Sequence, residues 1–323
     1  MITERERQIL HWIEENPLIS QQELAELAGI TRSSVAVHIS NLTKKGFIQG
    51  KGYLLQKKPY IVVVGGMNMD ICGRPHQALV MRDSNPGTTH SSAGGVGRNI
   101  AHNLALLDQD VKLITAFGTD AYASALNEEC HRIGIDTSQS FTIPNGVTST
   151  YLFITNEHGD MELAVSDMSI IDTLTPDLLA TRMAFINRAS VCICDTNIPQ
   201  ATLTYLATQC QCPLFVDTVS TIKAKKLKGV LGKVHTLKPN RIEAEELTGI
   251  KITDEASMKQ AADYFLNEGL KQVFISLGDQ GVYAANRDQQ LLLPCIPCEL
   301  VNTTGAGDSF VAALAWAWCQ QLS

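Results

Sequence analysis

The residues best suited to chemistry lie in three short strings, each at a turn into a helix. Asn302-Thr303-Thr304-Gly305-Ala306-Gly307-Asp308 opens an apolar helical stretch. Small residues there expose the amides of Gly305, Ala306 and Gly307 at the positive end of a helix, a setting suited to an anion such as a phosphoryl group in transfer. Asp308, in the first turn, stands where a base could take the proton of an attacking hydroxyl; an acid that only complements the helix dipole would look the same. The second string, Ala93-Gly94-Gly95-Val96-Gly97-Arg98-Asn99, precedes a helix with Ile100, Leu104 and Leu107 on one face. Its glycines permit close backbone approach to a ligand, and Asn99 offers a donor and an acceptor to a hydroxylated substrate. A dinucleotide fingerprint or a plain turn would carry the same glycines. In the third, Lys238-Pro239-Asn240-Arg241-Ile242-Glu243, an amide and a carboxylate three apart after a strand can hold hydrated Mg2+, or simply start a helix.

Such strings need a scaffold that brings several strand ends to one edge. IVVVGG (61–66), VKLITAFG (111–118), VCICDT (191–196), PLFVD (213–217), VHTLKPN (234–240) and QVFISLG (272–278) are short β-branched runs, separated by amphipathic stretches such as Ile100 to Leu107 and Thr175 to Arg188. This alternation predicts a mostly parallel sheet with helices on both faces. Residues 71–92 and 149–166 break the rhythm. The second reads as a hairpin turning at Glu157-His158-Gly159, so a small β-lid on the α/β core is expected.

The bulk properties agree with a folded chain. With 323 residues, 45% hydrophobic and 18% charged, disorder, collagen-like repeats and small disulfide scaffolds are excluded, and about two domains are expected. The apolar run Phe310 to Trp318 is too short to span a bilayer and the start is charged, which predicts a soluble, cytoplasmic protein with no membrane partner. Nine cysteines include CxC pairs at Cys192/Cys194 and Cys210/Cys212 and a CxxC at Cys295/Cys298. A buried strand, Pro297 and the lack of a suitably spaced His favour packing over zinc.

The net charge of −7 is unevenly spread: residues 1–58 carry eight Lys/Arg and six Asp/Glu, and no acid follows Gly29 in that segment. Periodicity predicts a helix over Glu4 to Glu15, a second opened by the capping box Ser20 to Glu23, and a third capped by Thr31 and ended near Gly46. Phe47 to Leu55 reads as a hairpin turning at Gly50-Lys51-Gly52. Three helices and a hairpin over residues 1–57 resemble a winged helix-turn-helix DNA-binding domain. That resemblance implies Arg32, Ser33, Ser34 and His38 near base edges and Lys44, Lys45 and Lys51 on phosphates, with DNA as a partner. A module that meets only protein is the alternative.

Across residues 60–323, the order GGMNMD, GGVGRN, PNRIE, SLGDQG, TTGAGD resembles the PfkB (ribokinase-like) family of carbohydrate and nucleoside kinases. The resemblance implies a ribokinase-like three-layer α/β/α core with a small β-lid, and ATP and Mg2+ as cofactors. Within the family the chain is most similar to pseudouridine kinases, through Asp83-Ser84-Asn85-Pro86-Gly87, GGVGRNIAHNLALL (94–107), SDM near Asp167 and HTLKPNRIEAEELTG (235–249). Carried over, Asn68, Asp70, Gly94, Gly95 and Asn99 would bind ribosyl hydroxyls, with Asp167 assigned to base or sugar recognition. Asp308 would be the base, and Gly305, Ala306 and Gly307 the anion hole. Asn240, Ser276, Gly278 and Gly281 would lie along ATP, and Glu243 would hold Mg2+ through water.

The expected activity is phosphorylation of the 5′-hydroxyl of a ribosyl substrate, pseudouridine first. The alternatives are another sugar or nucleoside, or a transcriptional regulator whose kinase fold senses its ligand. A homodimer is expected. Many family members carry Asp where this chain has Asn302, a position that helps bind an activating monovalent cation, so the missing charge weakens the expectation of potassium dependence. Members also continue with helices covering the adenine side, whereas here 15 residues follow Asp308. A short end, weaker ATP affinity and unpacked Leu314, Trp316 and Trp318 are the resulting expectations.

Overall fold

The computed structural model describes residues 2–50, 59–297 and 303–322. The chain divides into two compact units, Met1–Lys58 and Pro59–Ser323. In the first, helices Glu4–Glu15, Gln21–Ala28 and Arg32–Lys44 enclose a core of Ile9, Ile13, Leu24, Val35, Leu42 and Ile48. The capping residues do what their side chains allow. Thr3 and Ser20 form reciprocal boxes with Glu6 and Glu23, Thr31 accepts from the Ser34 amide, and Gly29 closes the second helix at φ 62°. Most of the expected hairpin, with Lys51, lies outside the described residues.

In the second unit, the described residues form a sheet of nine strands. Its order is Gln290–Leu293, Val282–Asn286, Gln272–Ser276, Thr236–Lys238, Leu214–Asp217, Val191–Asp195, Ile61–Val64, Val111–Ile114 and Ile135–Asp136. The pairs are parallel except those made by Val282–Asn286. The central strands are buried along their whole length, which is why they read as continuous apolar runs. One core cluster lies on each face: Leu203, Leu206, Ala261 and Phe265 belong to one, Ile100, Leu104, Leu126 and Val311 to the other. Among the described residues no helix is long and apolar enough to cross a membrane.

The lid is a separate sheet ordered Gly87–Gly94, Asn68–Pro75, Thr150–Thr155, Met161–Asp167. Gly159 turns its hairpin at φ 93°. Residues 71–92 thus supply most of the first two lid strands. Three local expectations change. The stretch 175–188 is two short helices, Pro176–Ala180 and Met183–Ile186, rather than one. Leu107 lies beyond the helix Val96–Leu106 as its C-cap and is 38% exposed, so the buried face rests on Ile100, Ala101 and Leu104. Trp318 does have aromatic partners: His235 at 4.6 Å and Phe215 at 6.1 Å, both edge-on, and Leu314 and Trp316 pack partly buried against the second cluster.

Candidate active site

The carboxyl ends of the central strands build the floor. Parallel register sets Asp195 beside Asp217 and Asp217 beside Lys238, so three ionisable residues from neighbouring strands stand in one row. Each acid stitches its own turn: Asp195 accepts from the Asn197 amide (2.8 Å) and Asp217 from the Val219 amide (2.7 Å). Val219 sits at φ 60°, a strained conformation for a β-branched residue that Asp217 helps to hold. Asp195 also reaches the next strand, accepting from the Gly66 amide at 2.8 Å, and burial pushes its carboxyl up. A Cβ on Gly65 would fall 2.3 Å from the same carboxylate, so only glycine fits there.

Above the floor, Gly95 begins the helix Val96–Leu106 at φ 99°, where a Cβ would strike the Gly66 carbonyl oxygen at 2.5 Å. Gly94 faces Asn68 in the lid register, and a Cβ on it would lie 2.2 Å from Asp70 Oδ2. Asn68 donates to Asp70 Oδ1 at 2.6 Å, while burial raises the Asp70 carboxyl. Arg98 is buried, with its guanidinium directed to Asn99 and His102 (3.4 and 3.3 Å). Asn99 donates to Asp308 Oδ2 at 2.9 Å across 209 residues of sequence.

Asp308 is 9% exposed. Burial pushes its carboxyl up to about 6; Asn99 and Lys238 oppose that rise, and Asp217 and Asp195 add to it. Such a group is ionised at neutral pH yet basic enough to take a proton. Gly305 is the N-cap of the helix Ala306–Cys319 at φ 79° with no side-chain cap. The Ala306 amide donates to the Thr303 carbonyl (3.2 Å), so of the three residues assigned to the anion hole this one closes the turn. Asn302 lies outside the described residues.

The residues expected along the nucleotide gather at the ends of the next strands. Asn240 bridges Ser276, whose amide donates to the Pro239 carbonyl at 2.9 Å. Gly278 and Gly281 follow with φ 67° and 93°, and a Cβ on Gly281 would collide with the Leu293 carbonyl oxygen. Asn240 and Glu243 form a reciprocal capping box, and Glu243 Oε2 also accepts from Thr218 Oγ1 at 2.5 Å. The helix-start alternative is therefore realised in the geometry. Among the described residues no three or more His, Cys, Asp or Glu are grouped to enclose a metal. With one carboxylate oxygen committed to the Asn240 amide and Thr218, Glu243 would suit Mg2+ only as an outer partner through water, the inner ligands being oxygens of phosphate and water.

One assigned residue stands apart. The register places Asp167 beside Thr150, itself beside Met69, hence on the opposite lid face from Asp70. Its Oδ1 is occupied by the Ser169 amide and hydroxyl at 3.2 and 2.8 Å. Conversely, sequence reasoning missed Asp195, Asp217 and Asn197. Asn197 Nδ2 would lie 3.1 Å from a Cβ on Gly66 and its amide oxygen accepts from Lys223, so it lines the same turn. An acid directly ending an apolar strand, in VCICD and again in LFVD, was the available signal.

In the N-terminal unit, Arg32, Ser33 and Lys44 are exposed and His38 is half-buried. Ser33 and Ser34 hydroxyls lie 2.9 Å from Thr31 Oγ1, and His38 Nδ1 is buried with no hydrogen-bond partner among the described residues. Lys45 departs from the expected phosphate set, because its amine is bound to Glu6 at 2.8 and 3.0 Å. That bond, foremost, holds the buried Glu6 carboxyl down at about 2.

Comparison with known proteins agrees with both units. Residues 58–323 match the pfkB family of carbohydrate kinases, and residues 2–49 match a winged helix-turn-helix DNA-binding family. An uncharacterized sugar kinase of Escherichia coli, YeiI, is 42% identical over 321 residues, covering 99% of this chain and 89% of the relative. The pseudouridine kinase of Escherichia coli is 38% identical over 266 residues, 82% of this chain and 85% of that one. A solved carbohydrate kinase from Agrobacterium tumefaciens superposes with TM-score 0.73 at 30% identity, over 82% of this chain and 86% of its own. Arabidopsis thaliana ribokinase, solved with ribose and ATP, shares the fold at TM-score 0.75 and 23% identity, over 83% and 88% of the two chains. The chain belongs to the pfkB family of carbohydrate kinases and carries a winged helix-turn-helix module ahead of its kinase unit.

Proposed function

We propose that the protein transfers the γ-phosphoryl group of MgATP to the 5′-hydroxyl of a ribosyl compound, with pseudouridine as the first candidate. The observation that carries this reading is Asp308: a buried carboxylate, raised to about 6, hydrogen-bonded to the Asn99 amide and set in the first turn of a helix whose N-cap is bare glycine. Asn68, Asp70, Gly94, Gly95 and Asn99 bind the sugar hydroxyls, and the lid carrying Asp70 excludes water. Asp308 takes the proton as the hydroxyl attacks in line, and the amides of the turn at Gly305 to Gly307 receive the phosphoryl group. Asn240, Ser276, Gly278 and Gly281 lie along the nucleotide. Glu243 would hold Mg2+ through water, and the ion would supply neutralisation of phosphate charge.

The similarity to a pseudouridine kinase supports that acceptor over ribose, fructose or another nucleoside, and the match to YeiI keeps the panel of sugars wide. The test is ATP consumption across a panel of nucleosides and free sugars, with Asp308→Asn beside the parent. Turnover should fall by about 10³-fold while the acceptor still binds; near-parental turnover of the variant would refute the assignment. Phosphorylation of a free sugar with pseudouridine inert would move the acceptor and leave the kinase reading standing. A second reading, a regulator whose kinase unit only senses its ligand, is favoured by the helix-turn-helix module. It requires salt-dependent DNA binding that ligand changes, in the absence of turnover.

A further inference from the structure

Lys238 has no part in the scheme above, yet its position is unusual. It ends the strand Thr236–Lys238 and is 6% exposed. Its ammonium lies 3.1 Å from Asp217 Oδ2, but that oxygen is buried with no hydrogen-bond partner among the described residues, so the pair attracts by charge without aligning a bond. The other Asp217 oxygen is committed to the Val219 amide. On the opposite side, a Cβ added to Gly307 would fall 2.9 Å from Lys238 Nζ. The amine therefore lies against the backbone of the turn that precedes Asp308. An ammonium carries three donors, and a buried cation is costly unless they are used.

We propose that Lys238 is the cation met by the transferred phosphoryl group, with Asp217 holding it in place until the nucleotide arrives. The proposal rests on the phosphotransferase reading and adds a residue to it. In the transfer, the acceptor oxygen bonds to phosphorus and its proton goes to Asp308. The bond from phosphorus to the β–γ bridging oxygen breaks, leaving its electron pair on the departing diphosphate. Lys238 makes and breaks no covalent bond; its charge offsets the oxygens of the moving group, where a preorganised cation in a dry site acts most strongly. A side chain at position 307 would shift the amine from this place.

The test compares Lys238→Met, Lys238→Arg and the double variant Lys238→Met/Asp217→Asn, which removes both charges and leaves no orphaned acid. MgATP and MgADP affinities are measured by calorimetry, without an acceptor. Lys238→Met and the double variant should weaken MgATP at least tenfold and MgADP less than twofold, because only the terminal phosphate meets the amine. With an acceptor, kcat of both should fall at least 100-fold while acceptor binding holds, and Lys238→Arg should recover part of the loss. In Lys238→Met the acid limb of the rate profile should also move up, since Lys238 and Asn99 oppose the rise of Asp308 that burial, Asp217 and Asp195 produce. A folded double variant with parental ATP-over-ADP preference and kcat within threefold overturns the proposal. Should Asp308→Asn keep full turnover, the phosphotransferase reading itself fails, a result separable from the first.

Discussion

Each unit sets a lysine against a buried carboxylate, exposed in the case of Lys45 and buried in that of Lys238, and the two pairs are built differently. Lys45 and Glu6 join the third helix to the first through two hydrogen bonds of 2.8 and 3.0 Å, and the same carboxylate completes the cap on Thr3. Every strong demand of that acid is met within the module. Lys238 and Asp217 sit in adjacent strands at 3.1 Å, unaligned, with an acid oxygen unbonded and an amine pressed against a glycine turn. A satisfied pair ties elements together; an unsatisfied one at a strand edge keeps charge available to something that arrives later. The contrast separates structural from chemical charge without reference to which residues are acidic or basic.

The sharpest way to break the contrast lies in the kinase unit. Gly94→Ala drives a methyl into Asp70 Oδ2 and should raise the acceptor KM by about 10- to 100-fold with a smaller change in kcat, measured by steady-state kinetics. Next comes pH. Because Asp308 must be ionised to accept a proton, kcat/KM should fall as pH drops through about 6. The same shift bears on stability: a carboxyl raised above its ordinary 3.8 favours folding below that value, and the favour is lost as pH rises through about 6. Asp308→Asn should therefore melt several degrees higher than the parent at pH 8, on the order of 2–3 kcal/mol, and at nearly the same temperature as the parent at pH 4.

In the N-terminal module the signs and sizes differ. Glu6 is held down to about 2, so its contribution is present above 4.5 and lost as pH falls toward about 2. Glu6→Gln should lower the melting of that module at pH 7 and leave kinase turnover alone. The smallest effect is expected at the exposed Lys44. Lys44→Ala should weaken DNA binding a few-fold on any sequence and reduce the salt slope by about one, whereas an unchanged slope removes Lys44 from the phosphate set.

Much of this was legible beforehand because it is local. Caps at Ser20 and Thr31, the turn glycines and the strand runs depend on neighbours within four residues, and Asp308 and Asn99 announce themselves by the glycines beside them. The row Asp195–Asp217–Lys238 is not local: its members are about 20 residues apart and become neighbours only through parallel register, which no single run encodes. The face on which Asp167 stands is non-local for the same reason, since only the register of the lid strands sets it opposite Asp70. Lys45 resembled Lys44 until the first helix supplied Glu6.

The bond between Asn99 and Asp308 also has a consequence in time. Its two ends are separated by 209 residues, and at a synthesis rate of about 5–20 residues per second the base is made roughly 10–40 s after the amide that holds it. From residue 167 onward the nascent chain has the glycine turn, all four lid strands and Asp70 but not Asp308. The acid is therefore the last part of that pair to be made, and a product lacking residues 306–319 would carry the glycine turn and the lid strands without it.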